Sequence, residues 1–159
     1  MNVHIHPAVV HFPIALLIFG SVAGLLYLYW RTYGSLRPLT WWPLLVGWVA
    51  ALAAVLTGLF DQRNLPPDAP FQSTLNWHIG TGLSLVVIYG WLLYRRWIFN
   101  SAKARQQRRR AGNDYVDLLD DPTSRWWITG LLIVGASLIV ASGWNGGQLV
   151  YVWGVNVGM

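Results

Sequence analysis

Cysteine is missing from the 159 residues, and so is glutamate. Without thiols the chain forms no disulfide, no thiolate metal centre, no iron–sulfur cluster and no covalently attached c-type haem. Charge is scarce, with 11% of residues charged against about 25% in soluble domains. Methionine is confined to Met1 and Met159, and histidine is absent from most of the chain. The residue order offers no serine–histidine–aspartate set, no carboxylate pair and no phosphate-binding glycine loop, which argues against a hydrolase or a transferase.

What is present is apolar: 55% of the residues are hydrophobic. A helix needs about 20 such residues to cross the hydrocarbon core. Four stretches qualify, at about 13–30, 41–60, 78–97 and 126–144. They predict an all-α integral membrane four-helix bundle forming one domain over 1–159. Trp30, Trp41, Trp42, Trp77, Trp97, Trp126, Trp127 and Trp144 fall at the ends of these stretches. Amphipathic rings favour the headgroup level, so they are expected as aromatic girdles. No basic leader with a small-residue cleavage site is apparent, so the first stretch is expected to be kept as structure.

Eight of the 11 Lys and Arg residues lie between Arg95 and Arg125. This bias marks topology and is no footprint for nucleic acid. The first connection carries Arg31 and Arg37, whereas Asp61–Trp77 carries one arginine and two aspartates. The positive-inside rule then predicts a bacterial inner-membrane protein with both termini outside. The run Ser101–Arg110 is expected as a solvated loop that sets topology, with a basic helix lying on anionic lipid as the other reading. The stretch from Gly143 to Gly158 holds five glycines and is expected as a flap over the outer end.

All four histidines fall on that outer side. His4, His6 and His11 precede the first apolar stretch, and His78 opens the third. Pro7 suits the first turn of a helix and Pro13 restrains the residue before it, so His6 and His11 are expected near the mouth of helix one. First and third helices of an up-down bundle lie diagonally, and imidazoles at matching depth can clamp one iron from two sides. His11 and His78 are therefore the expected axial ligands of a b-type haem, with His6 in support. Copper or zinc on His4, His6 and His11 with Asp61 or Asp68 is the alternative. Helix two aligns Gly47, Ala51, Ala54, Gly58 and Asp61 on one face. That face admits either a close neighbour or a flat macrocycle, and Asp61 is placed to orient an imidazole. The basic end has no histidine or inner methionine, so a second haem there has no ligands and electron exchange is expected on the outer side alone.

His6-Pro-Ala-Val-Val-His-Phe-Pro-Ile-Ala-Leu16, Thr57-Gly-Leu-Phe-Asp61, His78 and Gly146-Gly-Gln-Leu-Val-Tyr151 with Gly154-Val resemble the bacterial membrane proteins grouped as domain of unknown function 2231. The resemblance implies a four-helix membrane protein, in a family whose members are suspected of haem binding or electron transfer. It also implies a histidine directly before the tail glycine, a position held here by Trp153. The function expected is a cytochrome-like subunit exchanging electrons with quinol or an outer-side carrier. The contrasting expectation is a cofactor-free accessory subunit of a larger respiratory or photosynthetic complex.

Overall fold

Backbone that crosses hydrocarbon must satisfy its own hydrogen bonds, and this chain does so with helices. The computed structural model describes residues 6–30, 34–63, 65–113 and 115–155. His4 lies outside them, as do the last four positions. A single turn, α1 (His6–Val9), leads into the first span, α2 (His11–Tyr29). Then come α3 (Leu36–Gln62), α4 (Gln72–Phe99), the short α5 (Ala102–Arg110) and α6 (Arg125–Tyr151). Four helical segments, His11–Tyr29, Leu36–Gln62, Gln72–Phe99 and Pro122–Tyr151, are long and apolar enough to cross a membrane.

Helices α3, α4 and α6 have 27, 28 and 27 residues. At 1.5 Å per residue each is about 40 Å long, roughly 10 Å more than the hydrocarbon core. That excess explains why α3 and α4 begin several residues before the apolar stretches that announced them. Hydropathy marks the oily section only, while the helix continues through the headgroup level.

The spans form a ring in which α2 and α4 each pack against α3 and α6, leaving α2 and α4 diagonal. Leu17, Leu28, Leu44, Tyr89, Leu92, Ile128 and Leu132 fill the centre, each at most 2% exposed. Val49, Leu56, Val87 and Val140 face outward, as lipid contact requires. Small residues set the α2–α3 spacing, because a Cβ at Gly47 would stand 3.0 Å from Leu16 and Leu17. Tyr89 spans the centre and donates to Ser21 Oγ at 2.8 Å, which in turn donates to the Leu17 carbonyl at 2.7 Å.

Trp30, Trp42, Trp77, Trp97, Trp126 and Trp144 are all exposed and lie within about two turns of a helix end, near the level a girdle occupies. Trp41 is not among them. It is 1% exposed and its indole N–H reaches Asp117 Oδ1 at 2.9 Å. The same oxygen accepts the Leu119 amide at 3.1 Å, and Asp117 Oδ2 faces Arg96 Nε at 3.6 Å. Alongside, Asp120 accepts the Tyr27 hydroxyl at 2.6 Å and pairs with Arg37 at 3.0 Å. The turn at 117–120 therefore closes the basic end, driving Leu118 and Leu119 into the core.

At the opposite end the expected flap is largely absent as such. Helix α6 continues through Gly143, Gly146 and Gly147 to Tyr151. Glycine tracts lose little as helix where water is excluded and unbonded amides are costly. Among the described residues only 152–155 leave the helix, turning at Gly154 with φ 63°, a left-handed conformation that favours glycine. Val155 is thereby tucked against Leu75 and Leu149. Trp153 tilts against Phe71, with ring centroids 6.5 Å apart.

Candidate functional site

Beneath that hook lies a cavity of about 430 Å³, lined by His6, His11, Asp61, His78 and apolar or glycine positions from the helices around it. The volume falls within the range of roughly 300–1,000 Å³ usual for small-molecule sites. The small-residue face of α3 divides between two surroundings. Gly47 admits neighbouring α2, while Ala51, Ala54, Gly58 and Asp61 form cavity wall.

The ring opposed to His78 is His6, whereas the sequence pointed to His11. His6 and His78 stand edge to face, with centroids 6.0 Å apart and planes at 79°. His11 lies on the cavity wall but is exposed. The cause is the packing of the first turn against α3. The one-turn α1 leans on α3 and carries His6 inward, so the residue nearer the terminus is the deeper one.

Each ring is carried by one helix and fixed by another. His6 Nδ1 lies 3.2 Å from Thr57 Oγ1 on α3. The Thr57 hydroxyl donates to the Ala54 carbonyl at 2.9 Å, so it accepts from His6 and Nδ1 carries the proton. His78 Nδ1 lies 2.9 Å from the Ser142 carbonyl on α6. A carbonyl only accepts, so this Nδ1 is protonated as well. Both rings are thereby set as tautomers whose Nε2 keeps a lone pair, the arrangement that imidazole ligands adopt.

Two glycines make room. A Cβ at Gly58 would come within 3.0 Å of His6 Cε1, and one at Gly146 within 3.1 Å of His78 Cε1. Gly58 and Gly146 belong to the motifs singled out in the sequence. Ser142 does not, and no side-chain pattern announces it because its backbone oxygen makes the closer contact.

Asp61 acts on His6 through its charge, while the Nδ1 hydrogen bonds go to Thr57 and Ser142. Its Oδ2 is buried with no hydrogen-bond partner among the described residues. Asp68 is exposed in the loop between α3 and α4. Among the described residues no three His, Cys, Asp or Glu side chains gather as a bare-metal site.

Burial holds the His6 imidazole below its ordinary value of 6.5; nearby His78 adds to the shift, and the Ala54 backbone and Asp61 oppose it. A histidine depressed in the fold binds fewer protons than the unfolded chain does. Its contribution to stability is therefore whole above pH 6.5 and is lost as pH falls through the folded value. Thermal melts in detergent should show the midpoint dropping on acidification below pH 6.5, and a His6→Gln protein should show a flatter profile. Equal acid slopes in the two proteins would count against the assignment.

Four spans of this length and apolarity define the chain as a multi-pass membrane protein. Within that class it belongs to the family described as predicted membrane protein (DUF2231), whose family profile matches residues 2–159. The motifs that suggested the family are thus part of a likeness covering nearly the whole chain. No curated protein and no solved structure matched it.

Proposed function

We infer that the bundle is a cytochrome-like subunit that holds one b-type haem between His6 and His78 for one-electron exchange. The observation that carries this reading is the pair of imidazoles whose Nδ1 protons are committed to Thr57 and Ser142, leaving both Nε2 lone pairs for a ligand. Both rings line the same cavity, with centroids 6.0 Å apart.

A porphyrin supplies four nitrogens and asks the protein for two, the number found here. A bare copper or zinc ion asks for three or four. The small-residue wall from Ala51 to Gly58 suits a flat, apolar ring system. When bound, haem supplies a reversible one-electron couple. His6 and His78 would hold the iron, Thr57 and Ser142 would fix the ring planes, and the apolar wall would limit water. His11 stands at the rim, near the surface where a quinol or a carrier protein approaches.

Positive-inside bias puts the α5 end in the cytoplasm and the histidine end outside a bacterial inner membrane. With ligands at one end only, electrons enter and leave on the same side. The test is an absorption spectrum of the detergent-purified protein from haem-replete cells, before and after dithionite. Sharp α and Soret bands on reduction are expected. A blank spectrum would overturn the haem reading in favour of a cofactor-free accessory subunit, to be sought within a larger complex.

A further inference from the structure

The opposite, basic end holds a second concavity. Asn100, Arg105, Arg108, Arg109, Asn113 and Tyr115 line a cleft of about 460 Å³ between the end of α4 and helix α5. Residues 105, 108 and 109 stand one turn apart, so their guanidinium groups share a face of α5. Arg108 is held in place, donating to the Phe99 carbonyl at 2.7 Å with its guanidinium carbon 3.5 Å from the Phe99 ring centroid. The helix is itself pinned at its start, where Ser101 Oγ accepts the Ala104 amide at 3.3 Å.

Among the described residues no carboxylate lines this cleft. Among the described residues the aspartates nearby are engaged elsewhere: Asp117 with Trp41 and Arg96, Asp120 with Tyr27 and Arg37, Asp121 with Thr123 and Ser124. Three cations thus converge on a concave space with amide and phenol side chains beside them, and none of them is paired with a carboxylate among the described residues. Planar guanidinium forks match phosphate oxygens two at a time. The cleft begins at Asn100, one residue past the membrane-spanning α4, and exposed Trp97 lies one turn before it, which sets it at headgroup depth.

The geometry points to a binding site for a phosphate group in this arginine cleft, with an anionic lipid headgroup as the source its depth favours. It stands apart from the histidine end and does not depend on what that cavity holds. Each basic residue near an anionic surface strengthens binding by about fivefold, so removing two lowers it roughly thirtyfold. The test titrates the full-length detergent-purified protein with phosphatidylglycerol, with phosphatidylcholine as the zwitterionic control, and reads bound equivalents by native mass spectrometry. Inorganic phosphate and ATP are titrated in parallel by calorimetry. The variants are Arg105→Gln with Arg109→Gln, and Lys103→Gln with Arg110→Gln, which removes the same charge outside the cleft.

One saturable equivalent of phosphatidylglycerol is expected, weakened about thirtyfold in the first double variant and less than threefold in the second. Binding of phosphate or ATP without phosphatidylglycerol would support the same chemistry from a soluble source. Equal weakening in both double variants would show only a diffuse basic face and overturn the site. So would the absence of saturable binding of every probe to the unaltered protein.

Discussion

Exchanging His78 for alanine is expected to abolish the reduced α and Soret bands, and His6→Ala is expected to do the same. His11→Ala should keep them. An outer hydrogen-bonding partner of a metal ligand contributes about 10–100-fold to affinity, so removing a ligand itself should cost more and leave little pigment after purification. The three variants separate the pair that the structure brings together, His6 and His78, from the pair expected from the sequence, His11 and His78. If the axial pair were His11 and His78, the His11 variant would be colourless. Loss of fold is a minor concern, because His78→Ala deprives one carbonyl, that of Ser142, of its donor. That costs about 1–3 kcal/mol. Monodispersity in size-exclusion chromatography checks the point. A His6→Ala protein with its full Soret absorbance would remove the basis of the proposed site.

The second large effect is expected at the other end. Asp117→Ala should destabilise the bundle by about 4 kcal/mol, because two buried N–H donors lose their acceptor and a guanidinium loses its counter-charge. The Trp41 indole and the Leu119 amide both point at Asp117 Oδ1, at 2.9 and 3.1 Å. Neither has water to turn to, as Trp41 and Leu119 are each 1% exposed. The Arg96 contribution is smaller, since its side chain is 32% exposed and can reach headgroups. Asp117→Asn keeps an acceptor for Trp41 and should cost about half as much. Melting in detergent should fall by roughly 10 °C for the alanine variant. A drop under about 2 °C would mean that the turn at 117–120 only decorates the bundle.

The spans were readable because a bilayer imposes a length and a composition that few soluble helices meet. The ends of α3 and α4 were not, since their outer turns are held by packing and by the helical ladder, which hydropathy does not report. Trp41 was misplaced for a related reason: a girdle tryptophan and a core tryptophan look alike until the partner of the indole N–H is known, and Asp117 lies 76 residues away. At the histidine end, the cluster and the glycine-bearing motifs were legible, as was the face that lines the cavity. The choice between His6 and His11 turned on which side of the first turns packs on α3. Five residues of helix set the two rings about 140° apart, and periodicity alone does not say which of them faces inward.

The histidine pair also has a history written into its partners. His6 precedes Thr57 and His78 along the chain, and the Ser142 carbonyl that fixes His78 comes last of the four. No intermediate that lacks α6 contains all of them. The cavity is therefore complete only once α6 has inserted beside α4. Whatever fills it waits for that step, and a chain cut off before α6 lacks the partner that fixes His78.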